Sequence, residues 1–364
     1  MACKLKIWFM VLLCITLMAA NLGPLASAEP QVPCYFVFGD SLCDNGNNNG
    51  LKTIAKANYP PYGIDFHDGV TGRFSNGRNL PDIIAERLGF DHHIPPFATA
   101  KGRDILTGVN YASGGAGIRD ETGQALGQVI SLGRQLQNHQ VTISRFATLL
   151  GNKESANELV KKCMYSVGIG SNDYINNYLQ PQNYPTSKTY TPDQYALTLV
   201  QQYRQHITTL YNNGARKVAL FGLGAIGCSP AEIALHQPSK SPCYDKINND
   251  VQLFNKRLTI LVDELNKQHS DAKFIYINST GISIVQPSSR SNYAPLKSTP
   301  CCKVSSNGQC VPNSVPCNDR TKQAFFDAFH PTEIGYVTVG ERAYKALLPT
   351  DTYPMDISHL AQFK

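Results

Sequence analysis

"FVFGDSLCDNGNNNG", residues 36–50, places Ser41 directly after a short apolar run. The run before Gly39 is aromatic and β-branched, which is typical of a strand that is covered on both faces. Asp, Gly and Asn then crowd the following segment, and these residue types favour turns. Ser41 is therefore either a turn serine that caps the next segment or a nucleophile presented at the end of a strand.

Three further apolar runs of this kind, residues 164–169, 217–224 and 273–278, predict more strands. Between the last two, "YDKINNDVQLFNKRLTILVDELNKQ" repeats apolar residues every three or four positions, which predicts an amphipathic helix. Another helix is predicted to begin after Thr191, with Pro192 in its first turn, and to end at Asn213 and Gly214. Alternating strands and helices predict an α/β fold with a parallel sheet and helices on both faces.

The composition of the 364 residues is that of an ordinary globular protein, with 42% hydrophobic and 16% charged residues. The net charge of +6 is spread along the chain without a long basic run, so we expect no nucleic-acid partner. No fixed-period repeat and no linker divides the chain, which favours one domain over residues 29–364. We interpret the Pro- and Ser-rich stretch Gln286–Pro316 as a disulfide-tied surface excursion.

Residues 1–28 are predicted to be a secretory signal peptide. Lys4 and Lys6 precede an apolar stretch from Ile7 to Ala20, and residues 26–28, Ala-Ser-Ala, fit a cleavage site. An uncleaved membrane anchor is the alternative, but the stretch is short of the roughly 20 apolar residues that span a bilayer. No later segment reaches that length, so we expect an exported, soluble mature protein without stable membrane insertion.

The cysteines agree with export. Of 11 cysteines, nine lie beyond the predicted signal peptide, and in an oxidising compartment they predict disulfides. A zinc knuckle is the alternative for the C-terminal cluster, which lacks paired C-x2-C spacing and nearby histidines. Nine is odd, so at least one thiol is free or pairs with another chain. Asn278 begins the one N-glycosylation sequon. The nine cysteines are Cys34, Cys43, Cys163, Cys228, Cys243, Cys301, Cys302, Cys310 and Cys317.

Polar residues follow the predicted strands at one edge of the sheet, where ligands bind in open parallel sheets. Besides Ser41, these stretches are "GVNYASGGAGI", residues 108–118, and "GIGSNDYINNY", residues 168–178. Near the C-terminus, "FFDAFHPTEIGY" places Asp327 three residues before His330. That spacing lets a carboxylate reach Nδ1 of the histidine and leaves Nε2 free for a serine.

Together these residues fit nucleophilic attack on an ester or amide by serine. Ser41 would be the nucleophile, His330 the base and Asp327 the group that orients the base. The Ser41 N–H, a glycine N–H of "SGGAG" and the Asn172 amide could bind the oxyanion. Taken singly, each has an alternative: a helix cap at Ser41, a tight turn at "SGGAG", turn residues at Asn172, and a buried Asp327–His330 ion pair.

Dinucleotide and zinc sites are not indicated. "SGGAG" lacks the G-x-G-x-x-G spacing after a strand, and His92 and His93 do not form an H-E-x-x-H motif.

From about Val32 to Leu348 the sequence resembles a plant-type GDSL esterase/lipase of the SGNH hydrolase superfamily. "FVFGDSLCDNGNNN" resembles the first family block, with Ser41 at the nucleophile position. "GVNYASGGAGI" is similar to the second, with the oxyanion glycine at Gly115 or, one register away, Gly114. "GIGSNDYINNY" resembles the third, with Asn172 as the other oxyanion donor, and "DAFHPTE" the fifth, with Asp327 and His330.

The resemblance implies a flavodoxin-like three-layer α/β/α sandwich with a central parallel sheet, the SGNH hydrolase fold. It implies a secreted, extracellular serine esterase/lipase, in the apoplast or cell wall if the source is a plant, that hydrolyses an ester or lipid substrate through an acyl-enzyme. It implies no metal and no organic cofactor. An acyltransferase with the same triad and a non-catalytic cell-wall binding protein on a hydrolase scaffold are the alternatives.

Cys43 departs from the family pattern, which more often has an aliphatic or small polar residue at this position. It also stands where the nucleophile elbow of α/β-hydrolases has its second glycine, so the serine is presented differently from that fold. The other eight cysteines of the mature chain lie where cysteines are frequent in the family. We therefore hypothesise that Cys43 is the unpaired thiol.

Overall fold

A computed structural model of the chain describes residues 29–239, 241–284 and 297–364. The predicted signal peptide and the first part of the Pro- and Ser-rich excursion lie outside the described residues. The main sheet contains the strands β1 (Tyr35–Gly39), β2 (Met164–Gly168), β3 (Lys217–Phe221) and β4 (Lys273–Ile277). A separate pair is formed by β5 (Lys297–Pro300) and β6 (Gln323–Phe325), and β7 (Thr352–Tyr353) follows near the C-terminus.

Helices of very different lengths connect these strands. In chain order they are α1 (Leu80–Leu88), α2 (Leu132–Leu150), α3 (Lys153–Lys162), α4 (Ser171–Asp173), α5 (Thr186–Thr189), α6 (Pro192–Asn212), α7 (Pro230–His236), α8 (Asp245–Gln268), α9 (Ser279–Ile284), α10 (Glu333–Tyr344) and α11 (Ile357–Ala361). A π-helical turn, Tyr174–Tyr178, directly continues α4. None of the helices in the described segments is both long enough and apolar enough to span a bilayer.

Helix α6 begins as its sequence predicts. The Thr191 hydroxyl accepts from the Gln194 N–H, the Gln194 side chain accepts from the Thr191 N–H, and Pro192 occupies the first turn. This capping box satisfies two backbone donors that a helix start otherwise leaves without partners.

Strands β1 to β4 are all parallel, in the order β1-β2-β3-β4, as predicted. Residues 109–111 extend the sheet beyond β1, because the Tyr111 N–H donates to Val37 O at 2.8 Å and the Val37 N–H donates to Val109 O at 3.1 Å. Counting residues 109–111 as the second strand along the chain, the order is 2-1-3-4-5, which is the flavodoxin-like order. The antiparallel edge strand β7, two residues long, was not predicted.

Alternate strand residues point into two separate cores. Phe36 and Phe38 of β1 pack with one cluster, whereas Tyr35 and Val37 pack with the other. Because successive side chains of a strand face opposite sides, the sheet is covered on both faces. The first cluster takes in α2, α3, α6 and α8, and the second takes in α1, α9, α10 and α11. This is the three-layer α/β/α sandwich that the resemblance implied.

Four disulfides pair eight of the described cysteines and exclude the zinc-knuckle alternative. They are Cys34–Cys163, Cys228–Cys243, Cys301–Cys317 and Cys302–Cys310. Cys301, Cys302 and Cys310 of the C-terminal excursion are buried and pack in one cluster with Tyr62 and Phe74, so this segment is more than a surface excursion.

Cys43 is buried and is the one unpaired cysteine in the described part of the chain, which confirms the hypothesis. It packs under Gly39, where an added Cβ would lie 2.8 Å from Gly168 O and 3.1 Å from Cys43 Cβ. Burial raises the pKa of the Cys43 thiol well above its ordinary value. Since the thiolate is the reactive form, we expect this thiol to be inert in the folded protein.

Alkylation with iodoacetamide tests this assignment. The native protein should react slowly or not at all, and protein unfolded in guanidinium without a reductant should carry one label, at Cys43. The sample should consist of residues 29–364, and a reduced portion serves as the control, because all nine cysteines of that segment then become available. A label on any of the other eight before reduction contradicts the assignment.

Candidate active site

Ser41, His330 and Asp327 form one hydrogen-bonded relay. Ser41 Oγ lies 2.8 Å from His330 Nε2, and His330 Nδ1 lies 2.7 Å from Asp327 Oδ2. Ser41 is 9% exposed, His330 7% and Asp327 0%, so the serine and the histidine reach the surface slightly and the aspartate does not. An ionised carboxylate only accepts hydrogen bonds, so Nδ1 carries the proton and Nε2 is left to accept from the serine hydroxyl.

The three-residue spacing between Asp327 and His330 shapes their loop. Asp327 Oδ1 accepts from the backbone N–H of His330 at 2.7 Å and of Phe329 at 2.8 Å. The same carboxylate thus fixes the backbone of the loop through Oδ1 and the imidazole through Oδ2. The Phe74 ring lies 4.7 Å from the imidazole, centre to centre, and restricts it further.

Tyr62 is a partner that the sequence patterns did not indicate. Its hydroxyl donates to Asp327 Oδ2 at 2.6 Å and accepts from the Cys310 N–H at 3.1 Å. Burial alone would raise the pKa of Asp327, but His330, the Tyr62 hydroxyl and the Phe329 N–H outweigh it and hold that pKa below its usual value. Asp327 is therefore ionised near neutral pH although it is fully buried.

The turn after β1 is capped by Asp40 and not by Ser41. Asp40 Oδ1 accepts from the Leu42 N–H at 3.0 Å, and Asp40 O accepts from the Cys43 N–H at 3.1 Å. The Ser41 hydroxyl is thus free of a capping role and bonds to His330 instead. Burial raises the pKa of Asp40 to about 7. Gln135 fixes the end of β1, because its Oε1 accepts from the Gly39 N–H and its Nε2 donates to Gly39 O.

The asparagine-rich segment after Ser41 holds the glycine turn of residues 113–117. Asp44 Oδ2 accepts from the Gly114 N–H at 2.9 Å. Asn48 accepts from the Ser113 hydroxyl at 2.6 Å and donates to Gly114 O at 2.8 Å. Burial raises the pKa of Asp44 to about 6 despite its backbone hydrogen bonds. "DNGNNN" therefore positions a second segment of the site, a role that its turn-forming composition did not reveal.

These contacts distinguish Gly115 from Gly114. The Gly114 N–H is used by Asp44, whereas the Gly115 N–H has no acceptor within the described ranges. Gly115 has φ +80°, a left-handed backbone conformation that favours glycine. The geometry favours Gly115 as the donor, while its role stays a prediction.

Asn172 joins the glycine turn from the other side. It lies in α4, just beyond β2, and its Nδ2 donates to Ala116 O at 3.0 Å. One N–H of this amide remains available, and the Ser41 N–H also has no acceptor among the residues that the structure describes. Ser41, the glycine turn and Asn172 thus follow the carboxyl ends of neighbouring parallel strands, whereas Asp327 and His330 follow β6 of the separate pair and join them through the bond from His330 to Ser41. The roles of Asn172 and the Ser41 N–H as donors stay predictions.

Asn278 lies just beyond β4, and its side-chain hydrogen bonds go to none of these residues. Its Oδ1 accepts from the Gly281 N–H at 3.0 Å and its Nδ2 donates to Thr350 O at 3.0 Å. It is half-buried, and its glycosylation stays a prediction. In the described segments no group of three His, Cys, Asp or Glu side chains is arranged to hold a metal ion.

Comparison with known proteins gives a consistent family match. The model of the GDSL-like lipase/acylhydrolase family matches residues 35–343. One GDSL esterase/lipase of Arabidopsis thaliana is 53% identical over 342 residues, which cover 93% of each protein. A second is 48% identical over 99% of this chain and 98% of its own length. A third is 46% identical over 96% of this chain and 98% of its own length.

Substitution of Tyr62 by Phe should shift the pH profile of ester hydrolysis. Without the Tyr62 hydroxyl, Asp327 Oδ2 keeps more of its negative charge for the Nδ1 proton, which stabilises the imidazolium form of His330. The acid limb of kcat/KM should then move to higher pH by about half a unit to one unit, since a net hydrogen bond contributes about 1 kcal/mol and one unit corresponds to 1.36 kcal/mol.

Tyr59→Phe is the matched control, because the Tyr59 hydroxyl also bonds to Cys310, at its carbonyl oxygen, but not to Asp327. An unshifted acid limb in a folded Tyr62→Phe protein contradicts the argument.

Proposed function

The chain belongs to the GDSL-like lipase/acylhydrolase family and is a carboxylic ester hydrolase, and on this premise we propose that it acts through an acyl-enzyme on Ser41. The observation that carries the proposal is the continuous relay from Asp327 through His330 to the Ser41 hydroxyl. Asp327 and His330 are each held by further contacts, and Ser41 lies at the edge of the sheet where ligands bind.

In the first half-reaction Ser41 Oγ bonds to the ester carbonyl carbon while His330 Nε2 takes the hydroxyl proton. The buried carboxylate of Asp327 stabilises the imidazolium that forms. The carbonyl oxygen becomes an oxyanion, which the N–H groups of Ser41, Gly115 and the Asn172 amide bind. When the intermediate collapses, the bond to the alkoxy oxygen breaks and His330 returns the proton to the departing alcohol.

The second half-reaction uses the same groups in reverse. A water molecule gives a proton to His330 and its oxygen bonds to the acyl carbon, which forms a second oxyanion in the same position. Collapse then breaks the bond to Ser41 Oγ, His330 protonates that oxygen, and the acid is released. The three oxyanion donors act in both half-reactions. Loss of one donor therefore slows the formation of both tetrahedral intermediates.

We propose further that the enzyme is secreted and works outside the cell, in the apoplast or cell wall of a plant. Residues 1–28 would be removed as a signal peptide, leaving the hydrolase domain at 29–364 with a glycan on Asn278. The four disulfides and the similarity to plant proteins support this placement. Expression of the full chain in plant cells tests it: the protein in the extracellular fluid should begin at residue 29 and lose mass on deglycosylation unless Asn278 is replaced.

Ser41→Ala and His330→Ala should each lower kcat for p-nitrophenyl acetate by about 1000-fold or more, because neither half-reaction retains its nucleophile or its proton carrier. Both proteins should fold, as circular dichroism and thermal melting can verify. Product analysis with and without an added alcohol separates hydrolysis from acyl transfer.

Ser144→Ala and His92→Ala are matched controls on exposed surfaces, and both should keep the wild-type rate. Hydrolysis at the wild-type rate by either Ser41→Ala or His330→Ala would falsify the proposed mechanism.

A further inference from the structure

The side-chain amide of Asn172 can serve an oxyanion in only one of its two orientations. Turned one way, it presents an N–H donor, and turned the other way, it presents a carbonyl oxygen that repels negative charge. A side-chain amide alternates between these by rotation about χ2, so something must set its direction. Resting on the proposed function, we propose that Asn176 is the positioning residue that holds Asn172 in its donating orientation.

The contact between the two amides is direct. Asn176 Nδ2 donates to Asn172 Oδ1 at 2.7 Å, while Asn172 Nδ2 donates to Ala116 O at 3.0 Å. The carbonyl oxygen of Asn172 is thereby occupied by the Asn176 amide, and its Nδ2 bonds to the glycine turn. Its second N–H is left for the reacting oxygen.

Asn172, Asn176 and Gln180 form a chain of hydrogen-bonded side-chain amides. A backbone carbonyl at each end determines which way each amide is turned. At one end Ala116 O can only accept, which calls for Nδ2 of Asn172. At the other end Gln180 Nε2 donates to Ile175 O at 3.0 Å and to Asn176 Oδ1 at 3.2 Å. Because Gln180 fills the acceptor of Asn176, the Asn176 side chain must present its Nδ2 to Asn172.

The backbone places the two asparagines face to face without depending on their contact. Residues 172 and 176 are four apart, the spacing of neighbours on a helix, and the π-helical turn is closed by the Leu179 N–H donating to Tyr174 O at 2.9 Å. Beneath them Asp173 accepts from the Ile118 N–H at 2.8 Å and the Thr122 hydroxyl at 2.7 Å. A change of the Asn176 side chain should therefore leave this segment folded.

Asn176→Asp is the most direct test. The new carboxylate only accepts, so it opposes Asn172 Oδ1 and favours rotation of the Asn172 amide, which would turn its oxygen towards Ala116 O and the oxyanion. One missing oxyanion donor costs about 100- to 1000-fold in rate, and we expect Asn172→Ala to lose that much kcat. Asn176→Asp should lose at least about tenfold in kcat for p-nitrophenyl acetate, with KM changed by less than about threefold.

Two comparisons separate positioning from a general structural effect. In the Asn172→Ala background, Asn176→Asp should lower kcat no further, because the amide that it positions is gone. Asn157→Asp is the matched control: this side chain is exposed on α3 and has no hydrogen bond to Asn172, Asn176 or Gln180, so kcat should stay at the wild-type value. If Asn176→Asp does not fold, Asn176→Ala replaces it, with an expected loss of about three- to tenfold in kcat.

The possible failures are distinguishable. A wild-type kcat in folded Asn176→Asp, while Asn172→Ala is slow, overturns the positioning role and leaves the proposed function in place. An equal loss in the wild-type and Asn172→Ala backgrounds also overturns it, since the effect then does not pass through Asn172. A wild-type kcat in Asn172→Ala overturns both the inference and the oxyanion role of Asn172.

Discussion

The buried, ionised carboxylate of Asp327 is the constraint on which the rest of the site depends. A charge without solvent is costly unless it is paired and hydrogen-bonded, and Asp327 accepts from the His330 ring, two backbone N–H groups and the Tyr62 hydroxyl. The hydrogen bond to Asp327 also fixes the position of each of these donors. The loop that carries His330, the tautomer of its imidazole and the direction in which Nε2 faces Ser41 all follow from satisfying one carboxylate.

Tyr62 links this carboxylate to a part of the chain that is distant in sequence. Its hydroxyl accepts from the N–H of Cys310, a residue of the Cys302–Cys310 disulfide, and Tyr59 binds the carbonyl of the same cysteine. Through Cys310, the disulfide-bonded excursion therefore supports the tyrosine that holds the Asp327 carboxylate. In an oxidising compartment such disulfides persist, so the support and the proposed extracellular location are physically consistent.

Much of the fold was predictable because its signals are local. Strands β1 to β4 are apolar runs buried on both sides, and α6 carries its cap and first-turn proline in the sequence. The unpaired Cys43 followed from the family pattern. Asp327 and His330 could be proposed as partners of Ser41 from their three-residue spacing and the family block that contains them, although Ser41 and His330 are 289 positions apart.

What could not be predicted depends on contacts between distant segments or on single hydrogen bonds. Tyr62 lies in a loop without a motif, and its hydroxyl acquires a role only when Asp327 is brought to it. The choice of Gly115 over Gly114 depends on which N–H Asp44 uses. Asn176 looks like one more turn asparagine until the direction of its amide is traced. The edge strand β7 has two residues, too few for any periodicity.

The central claim, that Asp327 and His330 make Ser41 the nucleophile, is tested most directly by fluorophosphonate labelling followed by peptide mapping. We predict a single adduct on Ser41 and a labelling rate that falls by about 1000-fold or more in Asp327→Asn, because the amide supports the wrong imidazole tautomer. An adduct on another residue, or labelling of folded Asp327→Asn at the wild-type rate, would contradict the account.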